Sequence, residues 1–198
     1  MRHRTLVVLL AAALVLPGCA ASGQSVDDSV LPSAVETIDP QLVPGSTLEA
    51  SAVSADAPDG LHLAVVAPAQ PEEQEQAALD AVEHFAAQHD GTVTVHPNVD
   101  AALADDADVI VGIGPTGVGA IDLASAANLD TSFLVLGTQL AEPTGNVIAV
   151  VWPGADQRAV FAEEELPFAG ADVYAARAIE TGLAAFASDL DGHVIALD

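Results

Sequence analysis

The sequence predicts an α/β fold, a three-layer αβα sandwich built on a mainly parallel β-sheet. From about residue 60 onward, short runs rich in β-branched residues alternate with longer alanine-rich segments of helical period. One of these runs, "DVIVGIG" at 108–114, is continuously apolar, which indicates a strand that is covered on both faces. Apolar residues make up 51% of the chain, which is enough for a core of this kind.

The same pattern predicts the order of the elements. The first helix has the clearest signals, because Pro71 stands at its start, Glu72 and Glu73 favour the positive end of its dipole, and Gly91 ends it. The predicted strands are 61–68, 92–97, 108–114, 132–138, 146–153 and 193–198. The predicted helices are 71–91, 99–107, 115–129, 155–166 and 171–188, the last two being separated by "LPFAG".

Residues 59–198 are expected to form one α/β domain, since this length suits one such domain and not two. Residues 19–58 are rich in Ser, Ala, Asp and Pro and have no sustained period, so they predict a flexible tether. Their short apolar patches, "SVLPSAV" and "PQLVPG", could dock on the domain. A partly ordered tether is therefore the alternative.

Residues 1–18 have the features of an export signal. Arg2 and Arg4 precede an apolar run, 6–16, that is too short to span a bilayer as a helix. The signal ends in "LPGC", which resembles a bacterial lipobox, and the resemblance implies cleavage before Cys19 and a diacylglyceryl thioether on its sulfur. We therefore expect a lipid anchor that holds the protein on the extracytoplasmic face of the cell membrane. A plain secretory signal with a chance cysteine is the alternative.

The composition narrows the classes of partner. Cys19 is the only cysteine, so neither an internal disulfide nor a cysteine-ligated zinc site is expected. Removal of the signal leaves two basic residues, Arg158 and Arg177, against 29 acidic ones, a net charge of −27. Such a charge disfavours binding to nucleic acid and to anionic lipid headgroups. Two explanations of the acidic excess remain open. One is adaptation to salt or to genome composition, and the other is an acidic recognition surface.

A glycine pattern raises the question of a nucleotide cofactor. Gly112, Gly114 and Gly117 spell G-x-G-x-x-G after an apolar run. In dinucleotide-binding domains, however, this loop follows the first strand, and an acidic residue ends the next strand, about 20 residues on. Here the loop follows the third predicted strand, and the next strand ends without an acid. We expect no cofactor, although a dinucleotide enzyme stays open as the weakest alternative.

Two other interpretations of the glycines remain. Gly112 and Gly114 could simply allow a strand and a helix to pack closely. Alternatively, the loop lies at the carboxyl end of a central strand, where open sheets of this class bind ligands near the topological switch point. Amides at the start of the following helix could then hold a carboxylate or a sugar hydroxyl.

One stretch resembles a known family. "DADVIVGIGPTGVGAIDLASAANLDTSFLVLGT" is similar to the middle of the first lobe of type I periplasmic-binding proteins, and most of all to the basic membrane protein family of lipoproteins. That family has a phrase of the type "aDvIigvG" before a helix and "P-D-T-x-F" at the next strand, where this chain has Asp130, Thr131 and Phe133. The resemblance covers about residues 60–160. It implies a flavodoxin-like lobe that binds a nucleoside or similar small solute for an ABC importer.

The chain departs from this family in two ways. The acidic, Phe-Asn-containing ligand loop after the first strand is replaced by "APAQPEEQEQAA". A full binding protein also has a second lobe of comparable size, so one lobe is expected to bind weakly unless a homodimer supplies the other wall.

Several polar or aromatic residues follow the carboxyl ends of predicted strands and should meet at one edge of the sheet. Trp152 is the only tryptophan, and aromatic rings often stack on sugars and nucleosides. A core position for Trp152 is the alternative. The candidate ligand-binding residues are Gln70, Gly114, Thr116, Thr138, Gln139 and Trp152.

No other motif indicates catalysis or metal binding. The histidines of the mature chain are expected to be solvent-facing or satisfied locally, and the acidic runs "ADDAD" at 104–108 and "EEE" at 163–165 are interpreted as solvated faces. No nucleophile or general base stands in a recognisable context, so we expect a protein that is not an enzyme and has no metal site. The histidines are His62, His84, His89, His96 and His193.

The sequence therefore predicts a lipid-anchored protein that binds a small polar solute and works with ABC-transporter components. The alternative is a surface scaffold or interaction lipoprotein that has lost solute binding. A concave pocket lined by Thr116, Thr138, Gln139 and Trp152 would favour solute binding, and a flat or filled edge would favour the scaffold.

Overall fold

The computed structural model describes residues 43–115, 118–159 and 166–198. This part of the chain contains a seven-stranded sheet and four α-helices. The strands are β1 (Thr47–Glu49), β2 (His62–Val66), β3 (Thr92–His96), β4 (Val109–Ile113), β5 (Ser132–Leu136), β6 (Val147–Val151) and β7 (Val194–Ala196). The helices are α1 (Glu73–Gln88), α2 (Val99–Leu103), α3 (Val118–Ala127) and α4 (Ala171–Ala187).

Every pair of neighbouring strands is parallel, and the strand order is β1-β7-β6-β5-β4-β2-β3. The predicted α/β class and its parallel sheet are therefore confirmed. Each of the strands predicted from 61–68 to 193–198 is present, with ends that differ by at most a few residues.

Two layers of helices cover the sheet. Alternate residues of each strand face opposite sides, so Leu63 and Val65 of β2 join the cluster beneath α1 and α4, whereas Ala64 and Val66 join the cluster beneath α2 and α3. The buried stripe of α1 includes Val82 and Phe85, as its helical spacing predicts. Both faces of the central strands are apolar for this reason, and β4 and β6 are buried at every position.

The strand order contains one reversal that matters for function. From β2 the chain first adds β3 on one side and then crosses to β4 on the other side, after which β5, β6 and β7 follow outward. The segments that leave the carboxyl ends of β2 and β4 therefore diverge. Such a switch point is where open parallel sheets form their ligand crevices.

The expected boundary between tether and domain at residue 59 is wrong for residues 43–58. Thr47–Glu49 form β1, which pairs with β7, and the amide of Gly45 donates to the carbonyl of Gly192 at 2.6 Å. The strand was not recognisable because it has only three residues, two of them exposed, and so shows no apolar period. A partly ordered tether describes these residues better. The rest of the predicted tether, the signal and Cys19 lie outside the described residues.

The helix predicted over 155–166 is wrong for the described part of this range, since residues 155–159 and 166 are not helical. Trp152 and Ala155 close a tight turn through Pro153 and Gly154, and Arg158 then forms a parallel bridge with Gln139. Residues 160–165 lie outside the described residues. Among the helices that are described, none is long and apolar enough to cross a membrane.

Candidate functional site

A cleft of about 800 Å³ opens at the switch point between β2 and β4. Pro68 and Gln70 follow β2, and Pro115 follows β4, so the segments that diverge from the two strands line it. The segment just before α4 contributes Pro167 and Phe168. The cleft therefore occupies the place where this strand order predicts a ligand.

The polar part of the lining comes from the first turn of α1. Glu72, Glu73, Gln74 and Glu75 all line the cleft together with Gln70. No basic side chain among the described residues lines it, because Arg158 donates to the carbonyls of Leu140 and Gly45, and Arg177 to that of Asp198. The described part of the lining is therefore rich in carboxylates and carboxamides and contains no positive charge that could balance an anion.

The start of α1 is closed by its own glutamates. The backbone N–H of Glu72 donates to Oε2 of Glu75 at 3.0 Å, and the Glu72 side chain accepts from the backbone N–H of Glu75. This capping box uses amides that could otherwise bind an anion at a helix start. Gln74 Oε1 accepts from the backbone N–H of Ala171 at 2.8 Å and so joins the starts of α1 and α4. The arrangement disfavours phosphate or carboxylate ligands at this end of the cleft.

Phe168 covers the carboxyl ends of β4 and β5. Its ring packs on Gly114 and Gly137, which both have positive φ angles, +59° and +75°. A Cβ at position 114 would lie 3.1 Å from the ring, and one at position 137 would overlap the ring and come within 2.8 Å of Trp152. The glycines therefore make room for an aromatic side chain of the protein itself.

Gly112, the first glycine of the G-x-G-x-x-G pattern, also has a packing role. A Cβ at this position would collide with the side chain of Ile121 in α3, so the glycine lets the helix pack closely on β4. Gly117 lies outside the described residues. The interpretation that glycine lets a strand and a helix pack closely thus holds for Gly112, whereas Gly114 makes room for Phe168 in the segment before α4.

The six candidate ligand-binding residues do not share one pocket. Gln70 lines the cleft, whereas Gly114 lies beneath Phe168 and Thr116 is outside the described residues. Thr138 is 1% exposed, with Oγ1 donating to the carbonyl of Gln157 at 3.3 Å. Gln139 Nε2 donates to the carbonyl of Asp156 at 2.9 Å. The expected pocket is corrected because these polar atoms already bond to the protein.

Trp152 occupies the core position that was its alternative. It is 1% exposed, and its indole Nε1 donates to the carbonyl of Ala169 at 2.7 Å. Its ring stacks on Tyr174, with centroids 6.2 Å apart, and lies 5.9 Å from Phe168. The tryptophan therefore holds the segment that carries Phe168, instead of facing the cleft.

A second polar cluster lies on the face of the sheet that α2 and α3 cover. His96 Nε2 lies 2.7 Å from Oδ2 of Asp105, and His62 Nε2 lies 3.4 Å from the same oxygen and 2.9 Å from Thr94 Oγ1. The run 104–108 is thus not simply a solvated helix end, since Asp108 Oδ2 also accepts from the backbone N–H of His62. We call these four residues, His62, Thr94, His96 and Asp105, the histidine cluster.

The hydrogen bond from His96 holds the pKa of Asp105 below its ordinary value, although burial opposes this. A bond from Thr94 and the charges of His62 and His96 act in the same direction as His96. The described residues contain no group of three acidic, histidine or cysteine side chains that could hold a metal ion. Through Asp105, which contacts His62 and His96, the histidine cluster links the loop after α2 to β2 and β3.

Asp122 on α3 shows the opposite perturbation. Burial raises its pKa, and the neighbouring charge of Glu142 adds to the effect. The backbone N–H of Glu142 donates to Oδ1 of Asp122 at 3.3 Å and, with the charge of Arg158, acts against this rise.

Sequence reasoning missed the contribution of Phe168 and Leu166 to the cleft. The sequence "LPFAG" predicts only a break between helices, and nothing local in it indicates that the phenylalanine reaches across to Gly114 and Gly137. Comparisons of the chain with protein-family models, with curated proteins and with solved structures found no match to any of them.

Proposed function

We propose that the chain is a lipid-anchored extracytoplasmic protein whose α/β domain binds a small, neutral polar ligand, nucleoside-like or sugar-like, in the cleft at the switch point. It would act as a solute-binding lobe that works with ABC-transporter components. The observation that carries the proposal is the cleft of about 800 Å³ between the ends of β2 and β4, with Gln70 in its lining. Its volume falls within the range of about 300–1,000 Å³ that is usual for small-molecule sites.

The chemistry of the lining supports a neutral ligand with hydroxyl groups. Carboxylates and carboxamide oxygens accept hydrogen bonds from hydroxyl and amine groups, and Glu73 and Gln70 are exposed residues that lie outside the capping box. The partly exposed ring of Phe168 offers an apolar surface against which a base or a sugar face can pack. A phosphate would meet three glutamates and no basic group of the described residues.

The alternative is a surface scaffold or interaction lipoprotein that has lost solute binding. The filled edge over β4, β5 and β6 favours it, because Phe168 and Trp152 occupy space where a ligand would otherwise reach the strand ends. Under this alternative the cleft is a surface feature without a small ligand.

A thermal-unfolding experiment with paired ligands distinguishes the two functions. The chain from residue 20 onward, which retains every described residue, is heated with panels of nucleosides and sugars and with the matching phosphate esters. We expect at least one neutral compound to raise the midpoint and its phosphate ester to have no effect, because a ligand of the folded state stabilises it by mass action.

The variant Glu73→Gln tests whether a stabilising compound uses the cleft. It should reduce the shift in the midpoint, because it removes a carboxylate from the lining. Glu83→Gln is the matched control, since Glu83 is exposed on the same helix but does not line the cleft. If no compound in either panel stabilises the protein, the scaffold alternative becomes the better account.

A further inference from the structure

The two edges of the sheet are not equally protected. β1 is a strand of three residues with the exposed Glu49 at its end, and short, charged edge strands resist pairing with other chains. β3, at the other edge, has five residues, "TVTVH", with no acidic residue, lysine or proline within the strand. It lacks the usual devices that prevent an edge strand from pairing.

The backbone of β3 presents hydrogen-bonding groups to the outside. Thr92 donates its N–H to Leu61 at 2.9 Å, and the carbonyl of His96 accepts from Ala67 at 3.1 Å, so these residues face β2. In a parallel ladder alternate residues face opposite neighbours, which directs the N–H and C=O groups of Val93 and Val95 away from β2. Among the residues that the structure describes, no strand lies beyond β3, so its outer edge carries two residues that can pair with another strand.

The distribution of acidic residues indicates which partner could pair with β3. The chain has 29 acidic residues, and two copies repel each other wherever carboxylates would meet. β3 itself has no acidic residue, the Asp105 carboxylate beside it is paired with His96, and Val95 is 45% exposed. An apolar groove of about 280 Å³ lies beside Val95 and includes Leu79, Pro71 and Pro97. An uncharged, β-branched strip with such a groove suits a second copy of itself better than a basic partner.

We propose that β3 pairs antiparallel with β3 of a second copy, centred on Thr94, so that two sheets become continuous in a symmetric dimer. This register places Val93 opposite Val95 of the second copy, and both residues point their backbone groups toward the partner strand. A shift that centres the pair on Val95 would oppose Val93 to Pro97, which has no N–H to donate. In the proposed register, centred on Thr94, Val93 of the second copy lies opposite Val95 and so beside the groove.

The acidic surroundings of this strip give the dimer a salt dependence. Gln76 lines the groove and donates to Asp80 at 2.6 Å, so an exposed carboxylate on α1 stands close to the interface of each copy. These like charges weaken association at low ionic strength. Screening at about 1 M salt, where the Debye length is about 3 Å, should therefore strengthen the dimer.

Sedimentation of the chain from residue 20 onward tests the proposal directly. We expect a monomer–dimer equilibrium that shifts toward dimer between about 0.1 M and about 1 M NaCl. Val95→Lys should yield a monomer, although its positive charge would reduce the general repulsion between acidic copies. The control Val173→Lys makes the same charge change on α4 at a residue that is 70% exposed, and it should remain dimeric. A wild-type monomer at millimolar concentration in both salts would overturn the proposal.

Disulfide formation tests the register. The chain from residue 20 onward has no cysteine, so Thr94→Cys provides a single thiol. In the proposed pair the two Cα atoms at position 94 lie about 4.5 Å apart, within the range of a disulfide. Thr92→Cys is the control, because its two copies are four residues apart along the pair, about 13 Å. We expect an oxidised dimer for Thr94→Cys alone. Equal cross-linking of both variants, with wild-type far-ultraviolet circular dichroism, would contradict the register.

Discussion

The ring of Phe168 occupies the space that a Cβ at Gly137 would need, so only glycine leaves room for the ring there. The two residues are 31 positions apart in the sequence, and the contact closes the carboxyl end of β5 against the segment that precedes α4. Trp152 holds the same segment through its bond to Ala169, and Ala169 in turn donates to the carbonyl of Gly154 at 3.1 Å. One wall of the cleft thus depends on a small aromatic cluster.

Gly137→Ala should destabilise the domain by about 3 kcal/mol, the sum of a left-handed backbone cost and overpacking against Phe168 and Trp152. The free energy of unfolding from urea titration measures it. Gly60→Ala separates the two causes, because Gly60 has a similar φ of +77° but nothing within 4 Å of the added Cβ. It should cost only about 1 kcal/mol. Equal losses in the two variants would show that the aromatic contact imposes no constraint.

Phe168→Ala should expose the indole of Trp152 to water. Trp152 is the only tryptophan, so the emission of the whole protein reports on this cluster. We expect a red-shifted emission maximum, more quenching by acrylamide, and a loss of about 2 kcal/mol in the free energy of unfolding. Phe186→Ala is the control, since Phe186 packs on the same core cluster at the far end of α4. An unchanged emission maximum for Phe168→Ala would contradict the structure.

Asp105 and Asp122 should give opposite responses to pH. The pKa of Asp105 is lowered in the folded state, so its ionised form adds stability above the ordinary value of 3.8, which is lost as the pH falls through the folded pKa. Asp105→Asn should therefore be less stable than wild type near pH 7, and the difference should disappear in the acid range below 3.8.

The pKa of Asp122 is raised, so its contribution is favourable at low pH and is lost as the pH rises through the folded pKa. Asp122→Asn keeps an Oδ1 that can accept from the backbone of Glu142, and it should be more stable than wild type near pH 7. Urea unfolding at several pH values measures both variants. If the two aspartates shift stability in the same direction near neutral pH, this account of their surroundings fails.

Cys19→Ser should abolish the incorporation of radiolabelled palmitate into the protein expressed in a bacterium that processes lipoproteins. The expectation follows from the lipobox-like "LPGC" and from the position of the only cysteine. Ser22→Ala, three residues away, should be labelled like the wild type. Equal labelling of Cys19→Ser would place the lipid elsewhere and remove the basis for the anchor.

The central strands of the sheet could be predicted because each is a short, mostly apolar run between turn residues. β1 could not, since three residues at a sheet edge carry no period of their own. The expectation that residues after the carboxyl ends of strands form the site correctly placed Gln70 in the cleft, but it also selected Trp152 and Thr138. This expectation fixes the edge of the sheet on which a residue lies, whereas the direction of its side chain depends on partners such as Ala169 and Gln157.

Native mass spectrometry of the chain from residue 20 onward, purified without dialysis, tests the central claim most directly. The account predicts an extra mass of a size typical for nucleosides or sugars, lost on denaturation, and reduced in Glu73→Gln but not in Glu83→Gln. A protein that carries no extra mass under any gentle preparation would contradict solute binding in the cleft and favour the scaffold.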